Sequence, residues 1–178
     1  MSIHLAEFDP FAEPALAAEP QAPMPTAPPV AGALGEALTA VCDALETTAF
    51  LTATPGLAVE PPNDVRRVTL SFGGPAAGTL SFLADARLGA ALVANALGLD
   101  EADAATAGDD GLCELANVAA GAMMPRLVAD GDAECPLGLP RVAAATAADW
   151  AAAAVDPRYA SLDAEGRPLL VGLLGRAA

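Results

Sequence analysis

An α+β fold, with a mostly antiparallel sheet packed against long helices, is predicted by three patterns in this 178-residue chain. Two alternating apolar stretches are joined by a glycine-proline turn, which reads as a hairpin. An apolar run of strand length near the end follows a second turn. Before and between these, apolar residues recur at three- and four-residue spacing, the period of a helix.

The elements follow in chain order. Residues 1–30 are rich in proline and carry Ala-Glu-Pro-like units such as Phe11-Ala-Glu-Pro14. Such a segment cannot bury enough surface to order itself, so a disordered tail is expected ahead of one domain over 31–178. Phe8-Asp-Pro-Phe11 within it has the look of a docking motif, although an inert tail accounts for it as well. Leu34, Leu38, Val41 and Leu45 make one stripe of a helix over Ala31–Phe50. Pro55-Gly56 and Pro61-Pro62 punctuate a loop. Val68, Leu70 and Phe72 alternate in a strand over Val65–Phe72, and Gly73-Gly74-Pro75 turns the chain into a second strand, Gly78–Leu83. A helix over Asp85–Leu97 is capped by Asp85, packed through Leu88, Leu92 and Leu99, and closed by Gly98. An acidic linker, Asp100–Gly108, leads to a helix near Asp109–Val128. Leu137–Ala145 holds a candidate strand and Trp150–Val155 a helical turn or strand. Tyr159–Leu162, the turn Asp163-Ala-Glu-Gly166 and the run Pro168–Leu174 form a last hairpin.

Composition removes many functions. The formal net charge is −15, and Arg supplies all eight basic residues, because the chain has no lysine. Nucleic acid and anionic membranes are repelled by such a surface, which reads as a solvated one or as one that meets a basic patch on a protein partner. The only histidine is His4, in the tail. The domain therefore lacks a histidine base, a histidine metal ligand, a P-loop lysine and a Schiff-base lysine. Cys42, Cys113 and Cys135 are few, odd in number and widely spaced, which reads as buried reduced thiols rather than a disulfide framework or a metal knuckle. The N-terminus carries acids where a basic leader would stand, and no apolar run is long enough to span a membrane, so the expected compartment is the cytoplasm. Catalysis, if present, rests on carboxylates, amides, hydroxyls, thiols or arginine, or on chemistry lent by a partner.

One helix carries the chemical signal. On a helical wheel of Asp110–Leu127, Leu112, Leu115, Ala116, Ala119 and Met123 share a core face. Asp110, Glu114 and Asn117 share the opposite face, with Gly121 among them. Glu114 and Asn117 stand three residues apart, so they are neighbours on adjacent turns. A solvated face is the plain reading of such a stripe. Against it, Asn and Gly each cost a helix up to about 1 kcal/mol relative to Ala, in a chain that uses Ala freely. Gly121 leaves room for another surface to approach. Pro125 stands inside the pattern and should kink or end the helix.

Asp110, Glu114, Asn117 and the following Ala-Ala-Gly121 resemble the active helix of CheX/CheC-type chemotaxis phosphatases, whose members carry a segment close to GELxNMxxG. Gly78-Thr-Leu-Ser-Phe82 is similar to the glycine-led strand that precedes a helix in that family, and Asp85–Leu99 is similar to the helix. Cys113 stands where glycine is usual, Val118 where methionine is common, and Pro125 interrupts a helix that normally runs on. The single E-x-x-N motif makes CheX the nearer comparison. The resemblance implies a CheX/CheC-like α+β fold and phosphatase action on an aspartyl-phosphate of a CheY-like receiver domain. It makes Glu114 and Asn117 the catalytic pair, with Asp110 and Gly121 on the partner-binding face. No cofactor of its own is implied, since Mg²⁺ belongs to the receiver. Asp110 is equally a candidate helix cap. The rival readings are a non-catalytic module of the same fold that docks a receiver or a flagellar or signalling partner, and a homodimer formed through the C-terminal strand. A hard cation held by Asp109, Asp110 and Glu114 would lack ligands from other segments.

Overall fold

A computed structural model describes residues 30–56, 60–128 and 134–175 of the chain. The tail, with its Phe8-Asp-Pro-Phe11 cluster, lies outside the described residues. Strands β1 (Ala53–Pro55), β2 (Val65–Phe72), β3 (Gly78–Asp85), β4 (Arg141–Ala145), β5 (Tyr159–Ala164) and β6 (Arg167–Gly175) form one sheet in the order β1-β5-β6-β3-β2-β4. Every neighbouring pair is antiparallel. The helices are α1 (Val30–Ala49), α2 (Ala86–Leu97), α3 (Glu101–Ala104), α4 (Gly108–Leu127) and α5 (Ala147–Ala154).

Strand alternation divides the core. Val68, Leu70 and Phe72 of β2, Leu80, Phe82 and Ala84 of β3, and Leu169, Val171 and Leu173 of β6 point to the face covered by α1, α2 and α4. Val65, Leu83 and Leu170 point to the other face, where Trp150 of α5 covers them. Strand β6 lies inside the sheet and is buried on both faces, which is why it reads as an unbroken apolar run.

The two hairpins form at the predicted places. In the second, Glu165 (φ 54°) and Gly166 (φ 80°) are the two central residues of a turn that joins the paired Ala164 and Arg167. Two positive φ values match the right-handed twist of the flanking strands. Helix α1 ends on Phe50, also left-handed at φ 54°, with the Leu51 N–H donating to the Leu45 carbonyl at 3.1 Å and the Leu51 side chain buried.

Several expectations are corrected. The loop at Pro55-Gly56 begins as an edge strand, β1; three residues ending in proline show no alternation, and proline is tolerated there because an edge residue need not donate. The linker Asp100–Gly108 is the short helix α3, a single 3₁₀ turn over Ala105–Ala107 and the first residue of α4. Leu99 is 48% exposed rather than packed, because Gly98 (φ 67°) turns the chain off α2 ahead of it. The cysteines are free and half-buried rather than buried. No helix among the described residues is long and apolar enough to cross a membrane.

Candidate functional site

Helix α4 presents the stripe that the sequence singles out. Leu112, Leu115, Ala116, Ala119 and Met123 are buried, as the wheel predicts, and Asp110, Glu114, Asn117 and Gly121 are exposed. Together with exposed Pro125 these residues fall within an arc of about 80° around the helix axis. The Cβ atoms of Glu114 and Asn117 are about 5–6 Å apart on such a helix. None of Asp110, Glu114 or Asn117 makes a side-chain hydrogen bond or ion pair among the described residues, so their polar ends are available to a partner.

Helix α4 is packed against α2 and tied by ion pairs to β2 and α1. Towards α2 the two helices meet backbone to backbone. A Cβ on Gly89 would lie 2.2 Å from the Gly108 carbonyl oxygen, and one on Gly111 would lie 2.7 Å from the Gly89 oxygen and 2.9 Å from Val93 Cγ2. Glycine at these positions is a condition of the approach. At the N-terminal end, Arg66 Nε on β2 donates to Asp109 Oδ1 at 3.1 Å and its Nη1 meets Asp64 at 2.5 Å. At the C-terminal end, Arg126 Nη2 donates to Asp43 Oδ2 on α1 at 2.7 Å. These ion pairs are half-exposed, so each contributes no more than about 1 kcal/mol. The glycine seam and the buried face do most of the positioning.

Asp110 does not cap the helix. The residue before the helix is Ala107, which makes no side-chain cap bond, and Asp110 sits in the first turn, where its charge is favourable beside the free N–H groups. It instead lines, with Glu114, a groove of about 340 Å³ between α2 and α4 whose floor is Leu92, Val93 and Leu115. Leu97 stands at its edge, 67% exposed. Cys113, next to Glu114, is a poor nucleophile: burial first, then the charges of Asp110 and Asp109, push its thiol pKa up. No group of three His, Cys, Asp or Glu side chains among the described residues is placed to hold a metal ion.

Pro125 neither ends nor breaks α4. The helix continues to Leu127, and the Val128 N–H donates to the Met124 carbonyl at 3.1 Å. Its i−4 residue is Gly121, whose carbonyl is the one the proline ring faces and leaves without a helical donor. The residues that sequence reasoning missed are the seam glycines Gly89, Gly108 and Gly111 and the anchor Arg66. A glycine inside an Ala-rich helix was the available signal for the first of them.

The arrangement can bind and orient, and among the described residues it holds no cluster placed to bind a metal ion. What it offers is a carboxylate and an amide on a rigid, otherwise bare surface, suited to insertion into another protein.

Comparison with known proteins gives a family and a fold. Residues 67–159, just over half of the 178-residue chain, match the family model described as chemotaxis phosphatase CheX. No curated protein matches the chain in sequence. Among solved structures, a chemotaxis protein CheX from Desulfovibrio desulfuricans is similar at 17% identity and a TM-score of 0.59, over 81% of this chain and 99% of that one. The CheX of a CheX–CheY–BeF₃–Mg²⁺ complex from Borrelia burgdorferi is similar at 15% identity and a TM-score of 0.59, over 81% of this chain and 97% of that one. A CheC-like superfamily protein from Shewanella is similar at 18% identity and a TM-score of 0.54, over 82% and 98%. At these identities the likeness establishes a shared fold.

Proposed function

Since this chain belongs to the CheX family of chemotaxis phosphatases, we propose that it accelerates hydrolysis of the aspartyl-phosphate on a CheY-like receiver domain. The observation that carries the reading is the exposed, unpaired Glu114 and Asn117 side chains, side by side on a helix held in place by a backbone-tight seam.

The chemistry suits a surface of this kind. An acyl phosphate is labile, and phosphoryl transfer asks for positioning and charge neutralisation rather than for covalent help. The receiver's own Mg²⁺ supplies neutralisation of the phosphoryl oxygens, so this chain needs no cofactor. The Asn117 amide reaches in beside the phosphoryl group, accepts a hydrogen bond from the attacking water on its carbonyl oxygen, and holds that water in line. The Glu114 carboxylate pairs with a lysine of the receiver and fixes the docking register, a charge-assisted contact that a histidine-free, lysine-free domain can make. Asp110 extends the acidic edge, and Gly121 lets the receiver surface approach α4 closely. A net charge of −15 speeds encounter with a basic partner patch.

The test is the dephosphorylation rate of chemically phosphorylated CheY-like receivers from the same cell, with wild type, Asn117→Ala and Glu114→Ala. Wild type accelerates the decay. Asn117→Ala lowers the saturated rate by roughly 100-fold, the scale of lost orientation, while still binding. Glu114→Ala weakens binding and raises the concentration needed for half-maximal rate. A wild type that binds a receiver without changing its decay would make the domain a docking module instead.

A further inference from the structure

Pro125 takes no part in the reaction above, yet it changes one atom of the docking stripe. In an α-helix each carbonyl accepts from the N–H four residues on, and proline has none to give. Helix α4 runs past Pro125 to Leu127, so the carbonyl left without its helical donor is that of Gly121, in mid-helix. The neighbouring Ala122, Met123 and Met124 keep donors in Arg126, Leu127 and Val128. The proline ring crowds the carbonyl at i−4, and helices bend open at such a point.

Gly121 is exposed and brings no side chain of its own beside its carbonyl. It lies about 20° around the axis from Glu114 and about 10 Å further along. The nearest cation in sequence, Arg126, is held by Asp43 on α1 at 2.7 Å.

We propose that the Gly121 carbonyl oxygen is a second docking acceptor, taking a lysine or arginine side chain of the receiver about 10 Å from the lysine that Glu114 engages. The inference rests on the reading that α4 docks a receiver. A basic occupant follows from the charge of the surface: Asp110 and Glu114 share the stripe, and the chain as a whole carries −15. Pro125 is then a positioning residue that acts by withholding a hydrogen bond. A plain helix-terminating role predicts a different outcome, because it would change stability and leave docking alone.

Pro125→Ala restores the N–H and gives the Gly121 carbonyl an internal partner. The variant should keep or raise Tm, since alanine is the better helix residue. Its affinity for a BeF₃⁻-activated receiver should fall by about ten- to 150-fold, the worth of a hydrogen bond to a charged group. Its dephosphorylation rate at saturating receiver should stay within about twofold, because Asn117 is untouched. In wild type, the ¹³C shift of the Gly121 carbonyl should move on receiver binding; in Pro125→Ala it should not. Equal affinity of the two proteins, with a wild-type Gly121 shift that the receiver leaves unmoved, overturns this inference alone. A wild type that neither binds nor dephosphorylates any receiver of its cell overturns both readings.

Discussion

Gly89→Ala should loosen α4 without changing any of its residues. The added Cβ would stand 2.2 Å from the Gly108 carbonyl oxygen, 2.7 Å from its carbonyl carbon and 3.0 Å from its Cα. A close but acceptable C···O approach is about 3.3 Å, so α2 and α4 must part by about 1 Å. All three atoms are backbone, and none can step aside by changing rotamer. Overpacking of this kind costs about 1–3 kcal/mol, and alanine returns about 0.5–1 kcal/mol of helix propensity, for a net loss near 0.5–2 kcal/mol. Urea unfolding measures it, as a drop in midpoint at constant slope. Gly121→Ala is the matched control: its Cβ meets nothing within 4 Å, so stability should rise by about 0.5–1 kcal/mol. A shift of α4 by about 1 Å should also slow receiver dephosphorylation by as much as 100-fold at saturation. If Gly89→Ala is as stable as Gly121→Ala and dephosphorylates at the wild-type rate, the seam does not position the helix.

Two further predictions concern the sheet and its outer helix. Trp150 is 1% exposed and its Nε1 has no hydrogen-bond partner among the described residues. Trp150→Ala should cost about 3–5 kcal/mol, whereas Trp150→Phe should cost much less, because it also removes an unsatisfied donor worth about 1–3 kcal/mol; urea unfolding of both variants separates the two terms. Hydrogen bonds from the Arg158 side chain, then from its backbone N–H, lower the Asp156 pKa to about 2. A carboxylate with a lowered folded pKa stabilises the fold above its ordinary value of 3.8 and loses that contribution as pH falls through about 2. Asp156→Asn should therefore lower stability near neutrality, where the carboxylate's contribution is fully present, and flatten the acid limb of the stability curve between those two values, both read by thermal melts across pH.

The parts of the fold legible in the sequence were those where one local rule sufficed. Val68, Leu70 and Phe72 alternate and are buried together; Asp85 and Gly98 mark both ends of α2; the stripe of Asp110, Glu114, Asn117 and Gly121 followed from the wheel alone. What escaped depended on contacts between distant segments. Strand β1 exists because β5 pairs with it, and its three residues carry no period of their own. The seam between Gly89, Gly108 and Gly111 joins two helices that no spacing rule relates. Leu99 matched the helix period but lay beyond Gly98, where the period no longer holds. Pro125 was read as a break because the rule for helix interiors is strict, whereas here it stands in the last turn opposite a glycine.

The joint between β3 and α2 sets a length that the gene cannot change freely. Asp85 is the last residue of the strand, paired with Val65, and also the cap of the helix, its Oδ1 accepting from the Arg87 N–H at 2.9 Å. No loop separates the two elements. Inserting or deleting one residue here would rotate α2 by about 100° relative to the sheet and carry Gly89 out of register with Gly108. Insertions should therefore be purged from this junction and tolerated at the exposed Glu165–Gly166 corner, where an added residue lengthens a turn and moves nothing that α4 leans on.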